Sequence, residues 1–142
     1  MEDCLFCEEM KSKNIKNLIM ENKHAMVTFI DQLREGQCLV FTKNHRKSMT
    51  EMDMDEWNSV AEIIKKVSRA LEKKYDCEKT YLICTSDKVE HIHFHIIPKH
   101  KHLVSMGRYC FVKVFEEEGK RETPESELHA ISNEIKSIIE TL

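Results

Sequence analysis

Glycine and proline are scarce in this chain, three and two among 142 residues, and no glycine-rich stretch of the kind that cradles phosphate can be drawn. Internal repeats and low-complexity segments are missing as well. Positive charge is not in excess: 22 Lys and Arg against 25 Asp and Glu leave a net charge of −3. That balance argues against tight, sequence-independent binding to nucleic acid. No apolar run approaches bilayer length, and Met1-Glu2-Asp3-Cys4 shows neither a basic leader nor the apolar core of a signal peptide. A soluble, cytoplasmic protein without membrane association is therefore expected. The length suits one domain, residues 1–142, with a core large enough to need no disulfide staples. Of the six cysteines, Cys38, Cys77, Cys84 and Cys110 are isolated and read as small core residues or inert thiols.

What is present is concentrated in His91-Ile92-His93-Phe94-His95-Ile96-Ile97-Pro98. Alternation of this kind is the mark of a β-strand, in which residues i, i+2 and i+4 line one face. The three imidazoles then share a side, while Ile92, Phe94 and Ile96 face a core. Histidine titrates near neutrality and can serve as nucleophile, general acid or metal ligand. At about 3.3 Å of rise per residue, His91 and His95 begin about 13 Å apart, too far to share one ion. Such a row divides its labour, one end going to one task and the centre to another.

Elsewhere the pattern is that of an α+β domain. Residues 24–30 and 37–42 are rich in strand formers and flank the polar turn 31–36, as in an antiparallel pair. Asp53 with Glu56 forms a capping box that opens a long helix, whose apolar stripe runs through Trp57, Val60, Ala61, Ile64, Val67, Leu71 and Tyr75. Residues 80–84 make a further strand, joined by the short connection 85–90 to the histidine strand. Another strand is expected at 109–115, before the charged turn 116–120. Thr123, with Pro124 at the first helical position, opens a terminal helix whose apolar face is Leu128, Ile131, Ile135, Ile138, Ile139 and Leu142. The two helices must cover one face of the sheet. Residues 8–22 are charged and irregular, with little periodicity.

Cys4-Leu5-Phe6-Cys7 admits three readings: ordinary sequence, a redox pair, or half of a zinc site. A thioredoxin-like pair would follow a strand, and none fits before Cys4. A structural zinc site would require two further nitrogen or sulfur ligands. The basic clusters 43–47 and 99–102 could lend positive potential to a phosphate, although charge runs are more often solvated. His100, His102 and His129 read as solvated residues.

His91 to Ile97 matches every position of the His-φ-His-φ-His-φ-φ signature, φ being apolar, and so resembles the histidine triad family. The leading Cys-x-x-Cys, the strand ending in the acid Asp31, the strand 39–43 reaching His45, and the long helix before the triad match in order. The resemblance covers about residues 4–100; the strand and helix expected across 108–142 are outside it. It implies a five-stranded, mainly antiparallel sheet with a long helix, plus here the C-terminal helix, in a homodimer that binds nucleotides, with a purine expected, and cleaves their α-phosphate linkage. By the same resemblance His93 is the nucleophile, forming a nucleotidyl-histidine that water hydrolyses, and His95 supports charge or the leaving group. Zinc-bearing relatives complete the cysteine pair with histidines matching His45 and His91, which implies a structural zinc on Cys4, Cys7, His45 and His91. Asp31 matches the acid that accepts ribose hydroxyls, and Phe29 the apolar side of the base pocket.

The chain departs from the family just before the triad. Many members carry Gly, Gln and a Ser or Thr there, whereas this chain has Thr85-Ser86-Asp87-Lys88-Val89-Glu90. Ser86 and Lys88 are the candidates to contact phosphate in their place, with acids on both sides that weaken the field for an anion. The altered loop motivates an alternative, a nucleotide- and zinc-binding regulatory module with weak or no catalysis. A metal enzyme using two triad histidines is disfavoured, since no suitably spaced acid marks an open site.

Overall fold

The protein is described by a computed structural model over residues 4–102 and 121–142. The expected strand at 109–115, the turn at 116–120 and Cys110 lie outside the described residues. In chain order the elements are α1 (Leu5–Ser12), β1 (Leu18–Glu21), β2 (Ala25–Phe29), β3 (Cys38–Thr42), a 3-10 turn (Met49–Glu51), α2 (Met54–Tyr75), β4 (Lys79–Ile83), β5 (His93–Lys99) and α3 (Glu125–Thr141). The strands form one antiparallel sheet in the order β1-β2-β3-β5-β4. This is α+β.

Pleating sorts the side chains. Ala25, Val27 and Phe29 of β2, Cys38 and Val40 of β3, and Ile92, Phe94 and Ile96 pack under α2 and α3. Leu39 and Phe41 emerge on the opposite face, where Cys4 and Phe6 of the α1 region cover them. The three histidines lie on that second side. Strand pairing of β5 begins only at His93, yet Ile92 and His91 keep the alternation, one in the core and the other buried opposite. Across the sheet His93 is beside Phe41, while His95 is flanked by Leu39 and Ile83.

Several boundaries differ from expectation. Residues 8–22 hold α1 and β1, both short: four residues such as Leu18–Glu21 cannot display a period, and an eight-residue helix is set by its tethers rather than by propensity. On α2, Ala61 is exposed, and Ile63 and Ala70 complete the buried stripe with Val60, Val67 and Leu71. Pro124 is the N-cap of α3 rather than its first helical residue, and the Thr123 hydroxyl before it donates to Asp31 Oδ2, 2.6 Å away. The turn between β2 and β3 needs left-handed backbone at Asp31 (φ 46°) and Gly36 (φ 90°). A Cβ on Gly36 would lie 2.7 Å from the Tyr75 ring and 2.8 Å from Pro98 Cγ, so glycine is required there.

The basic clusters are ion-paired rather than displayed. Lys43 meets Glu21, Lys47 meets Glu90, Lys99 meets Glu78 and Lys101 meets Asp76. His100, expected in solvent, is buried, its Nε2–H donating to the Glu35 carbonyl at 2.7 Å and its ring edge-on to Tyr75. The pairing that matters most is Arg46 Nε to both oxygens of the fully buried Glu56, at 3.0 and 3.2 Å. Glu56 also accepts the Asp53 N–H at 3.1 Å, while the Asp53 carboxylate accepts the Glu56 N–H at 2.8 Å. One carboxylate thus closes the capping box and anchors Arg46, whose carbonyl in turn accepts the N–H of Ile92 at 2.7 Å. Helix start, the His45 loop and the entry to β5 are joined through it.

Glu56→Ala should lower the unfolding free energy by about 2–4 kcal/mol, since it removes a cap and strands a partly buried guanidinium. Glu62→Ala, which deletes an exposed i,i+4 pair with Lys66, should leave it almost unchanged. Urea unfolding of both variants checks the contrast, and equal losses would contradict it.

Candidate functional site

Two sites meet on the histidine side of the sheet. The first is built from the residue before α1, from α1 itself, from the loop after β3 and from the residue two before β5. One ligand atom from each of Cys4, Cys7, His45 and His91 can be chosen so that all four lie within 4.8 Å of one another. Cys4 Sγ is 3.3 Å from His91 Nδ1, Cys7 Sγ is 3.4 Å from His45 Nδ1, and Cys7 Sγ is 3.6 Å from His91 Nδ1. A tetrahedral zinc with Zn–S near 2.3 Å and Zn–N near 2.05 Å has sulfur–nitrogen edges of about 3.6 Å. The donor set and its spacing fit that ion.

The second layer of this cluster is also in order. His91 Nε2–H donates to the Thr42 carbonyl at 2.7 Å, which leaves Nδ1 as the unprotonated, ligating nitrogen. Burial lowers the pKa of His91, keeping the ring neutral as a ligand must be. Burial, and then neighbouring Cys4, hold the Cys7 thiol above its ordinary value. A dication offsets that cost of ionising thiols side by side.

The second site is a cavity of about 730 Å³, a size usual for small-molecule sites. His93 and His95 line it, with Leu5, Phe6 and Glu9 from α1, Thr28, Ile30, Gln32 and Leu33 from β2 and its turn, and Thr85, Asp87, Lys88 and Val89 from the loop before the triad. His93 Nδ1 is 2.7 Å from the carbonyl oxygen of His91. A carbonyl only accepts, so Nδ1 carries the proton and Nε2 of the neutral ring keeps its lone pair. Ser86, in left-handed backbone at φ 52°, accepts the His93 backbone N–H at 3.2 Å. Phe6 touches the His93 ring at a centroid distance of 5.2 Å and stacks on Phe41 at 4.7 Å. Leu5 and Phe6, the two residues between the cysteines, are therefore part of the cavity wall.

His95 differs from its neighbour. Its ring meets that of His93 at 5.3 Å, and its Nδ1 is 3.0 Å from Gln37 Nε2. Burial, and secondarily His93, lower its pKa to about 4, so it is neutral through the physiological range.

The candidates proposed from sequence separate into three groups. Cys4, Cys7, His45 and His91 form one cluster; His93, His95 and Lys88 share the cavity; Phe29, Asp31 and Ser86 do not line it. Phe29 points away because it shares a pleat with Ala25 and Val27, which pack under α2, so the apolar wall falls to its neighbour Ile30. Asp31 is buried and occupied, its carboxylate accepting from Gly36 N–H at 2.7 Å, Thr123 Oγ1 at 2.6 Å and Arg121 Nε at 3.3 Å. Ser86 stands behind His93 rather than toward the cavity wall. Residues missed from sequence include Phe6, Glu9, Ile30 and Gln37. Ile30 could have been found from strand parity, and Phe6 from its place inside the cysteine pair; Glu9 and Gln37 carry no such signal.

Known proteins resemble this chain in sequence and in fold. A 32% identical relative, an uncharacterized HIT-like protein of Borreliella burgdorferi, matches over 71% of this chain and 78% of its own length. An adenosine 5'-monophosphoramidase of Schizosaccharomyces pombe is 27% identical over 73% of this chain and 80% of its own. Among solved structures, a zinc-bound histidine triad family protein from Mycobacterium smegmatis superposes with a TM-score of 0.73 at 16% identity, over 99% of this chain and 95% of that one, a likeness of fold. The HIT domain model matches residues 11–102, which include His45 and the whole triad. With the triad, the antiparallel sheet and this match in agreement, the chain belongs to the HIT domain family.

Proposed function

We propose that this protein is a nucleotidyl hydrolase or transferase that opens the α-phosphate linkage of a nucleotide conjugate or dinucleoside polyphosphate through a nucleotidyl group carried on His93. The observation that carries the proposal is the 2.7 Å hydrogen bond from His93 Nδ1–H to the His91 carbonyl, in a ring that lines a cavity of about 730 Å³. It holds the nucleophilic tautomer before substrate arrives. The similarity to an adenosine 5'-monophosphoramidase supports the same class of bond.

In this reading the Nε2 lone pair attacks the α-phosphorus, and the bond to the leaving group breaks with its electron pair departing on that group. The ring becomes a phosphorylated imidazolium that retains Nδ1–H, and the His91 carbonyl accommodates its charge. Water then attacks phosphorus, the P–N bond breaks, and the electron pair returns to Nε2; the water proton passes to solvent and a nucleoside monophosphate leaves. Lys88, a cation among the cavity-lining residues, is assigned to the phosphate, and Ile30 to the base in place of Phe29. A purine base, a homodimer and a cytoplasmic site of action complete the proposal. Cys4, Cys7, His45 and His91 would hold a zinc ion, which when bound supplies structural cross-linking of α1 to the sheet. The similarity to a zinc-bound histidine triad protein supports that metal.

A nucleotide- and zinc-binding module with weak or no catalysis is the second reading. It is favoured by Asp31, whose carboxylate is engaged by three internal donors, and by the acids Glu9 and Asp87 on the cavity wall.

Incubation with adenosine phosphoramidate or diadenosine tetraphosphate, followed by intact-mass analysis without acid, should reveal an adduct on the wild-type protein. His93→Ala should lose the adduct and reduce turnover by about 10³-fold or more. Equal consumption by both proteins rules out the nucleophile, and no consumption across a broad nucleotide panel establishes the binding module. Metal analysis should find about one zinc per chain in wild type and a marked loss in Cys4→Ser; unchanged content would remove this cluster as the site.

A further inference from the structure

Gln37 lies at the entrance to β3, and its side-chain orientation is determined by the turn before it. Its Oε1 accepts the backbone N–H of Leu33 at 2.7 Å and of Gln32 at 3.2 Å. Both are donors that only an oxygen can satisfy. The other end of the amide must therefore be the nitrogen, and that nitrogen lies 3.0 Å from Nδ1 of His95. An amide nitrogen only donates, so Nδ1 of His95 must accept. The proton of the neutral ring is then on Nε2, the opposite arrangement from His93.

We infer that Gln37 is a positioning residue which fixes His95 as a neutral, Nε2-protonated hydrogen-bond donor, and so excludes it as the acid that protonates the leaving group. An imidazolium would need a second proton on Nδ1, where it would face the Gln37 N–H across 3.0 Å. Turning the amide over would relieve that contact but would strip both turn N–H groups of their acceptor. The buried setting points the same way, since desolvation and His93 both disfavour the charged ring. The charged or titratable groups sharing the cavity among the described residues are His93 on β5, Glu9 on α1, and Asp87 and Lys88 on the preceding loop. None of them is hydrogen-bonded to Nδ1 of His95, whereas Gln37 is.

The consequence for the proposed reaction, on which this part rests, is a division by tautomer. His93 presents a lone pair, and His95 presents an N–H that can stabilise negative charge on a phosphate oxygen without being transferred. The proton taken up by a departing amine or phosphate comes from water.

The assignment can be read directly from histidine ¹⁵N chemical shifts and two-bond ¹H–¹⁵N correlations of the metal-replete protein between pH 4.5 and 8, with His95→Asn identifying the resonance. In wild type, His95 should show the Nε2–H pattern and remain neutral to below pH 5. Gln37→Glu keeps an oxygen for the two turn N–H groups but turns the donor toward Nδ1 into an acceptor. That variant should move the proton to Nδ1 or raise the apparent pKa of His95 by at least one unit. With adenosine phosphoramidate, its kcat should fall about tenfold or more with a smaller change in KM, and the acid limb of its pH profile should shift upward. An Nδ1–H pattern in wild type, or identical spectra in wild type and Gln37→Glu, would overturn the inference. The expected spectra in a protein that consumes no nucleotide would uphold the proton assignment and refute the proposed reaction, so the two can fail separately.

Discussion

The bond from His93 Nδ1–H to the His91 carbonyl is the contact on which the rest of the site depends. It spans only two residues of one chain segment, yet it links two different chemistries. The ring of His91 belongs to the cysteine cluster, while its carbonyl sets which nitrogen of His93 bears a lone pair. Anything that fixes the backbone at His91 therefore also fixes the proton on His93. Three contacts do so from separate elements: His91 Nε2–H to the Thr42 carbonyl, Ile92 N–H to the Arg46 carbonyl, and the sulfur atoms of the segment at α1. A backbone carbonyl suits this task because its acceptor character does not titrate.

The sheet serves the same end. Only a strand can put His91, His93 and His95 on one side while Ile92, Phe94 and Ile96 bury the other, and the helices α2 and α3 pack against that other side. The chemistry lies on the opposite face, where among the described residues α1, the turn after β2 and the loop before the triad line the cavity. Ion pairs engage Lys43, Lys47, Lys99 and Lys101, and among the described residues Lys88 is the lysine that lines the cavity.

Much of this was legible in the residues. Alternation exposed β5, the Asp53–Glu56 box located the start of α2, and the apolar spacing of α3 read correctly to Ile139. The fold class followed from those elements together. What the pattern could not carry is which face of β2 meets the helices, and partnership. Phe29 and Ile30 are equally apolar, and only pairing with Cys38 reveals that Phe29 shares the α2 side. Asp31 looks like a free acid until the distant Thr123 and Arg121 are brought against it. Gln37 has no local signature, because its role arises from two backbone donors in a turn and a ring on another strand. α1 was illegible for a related reason: eight residues hold no periodicity strong enough to distinguish them from loop.

That weakness of α1 makes one wall of the cavity depend on contacts made far from it in sequence. A helix of eight residues does not persist alone in water, so Phe6 is kept against the His93 ring by its packing on Phe41 and by the contacts of Cys4 and Cys7 with the histidines. Its place is held by those contacts, not by the helix's own propensity. The wall and the floor of one pocket thus rest on different supports, the floor on the paired strands of the sheet and the wall on a short segment tethered at its two cysteines.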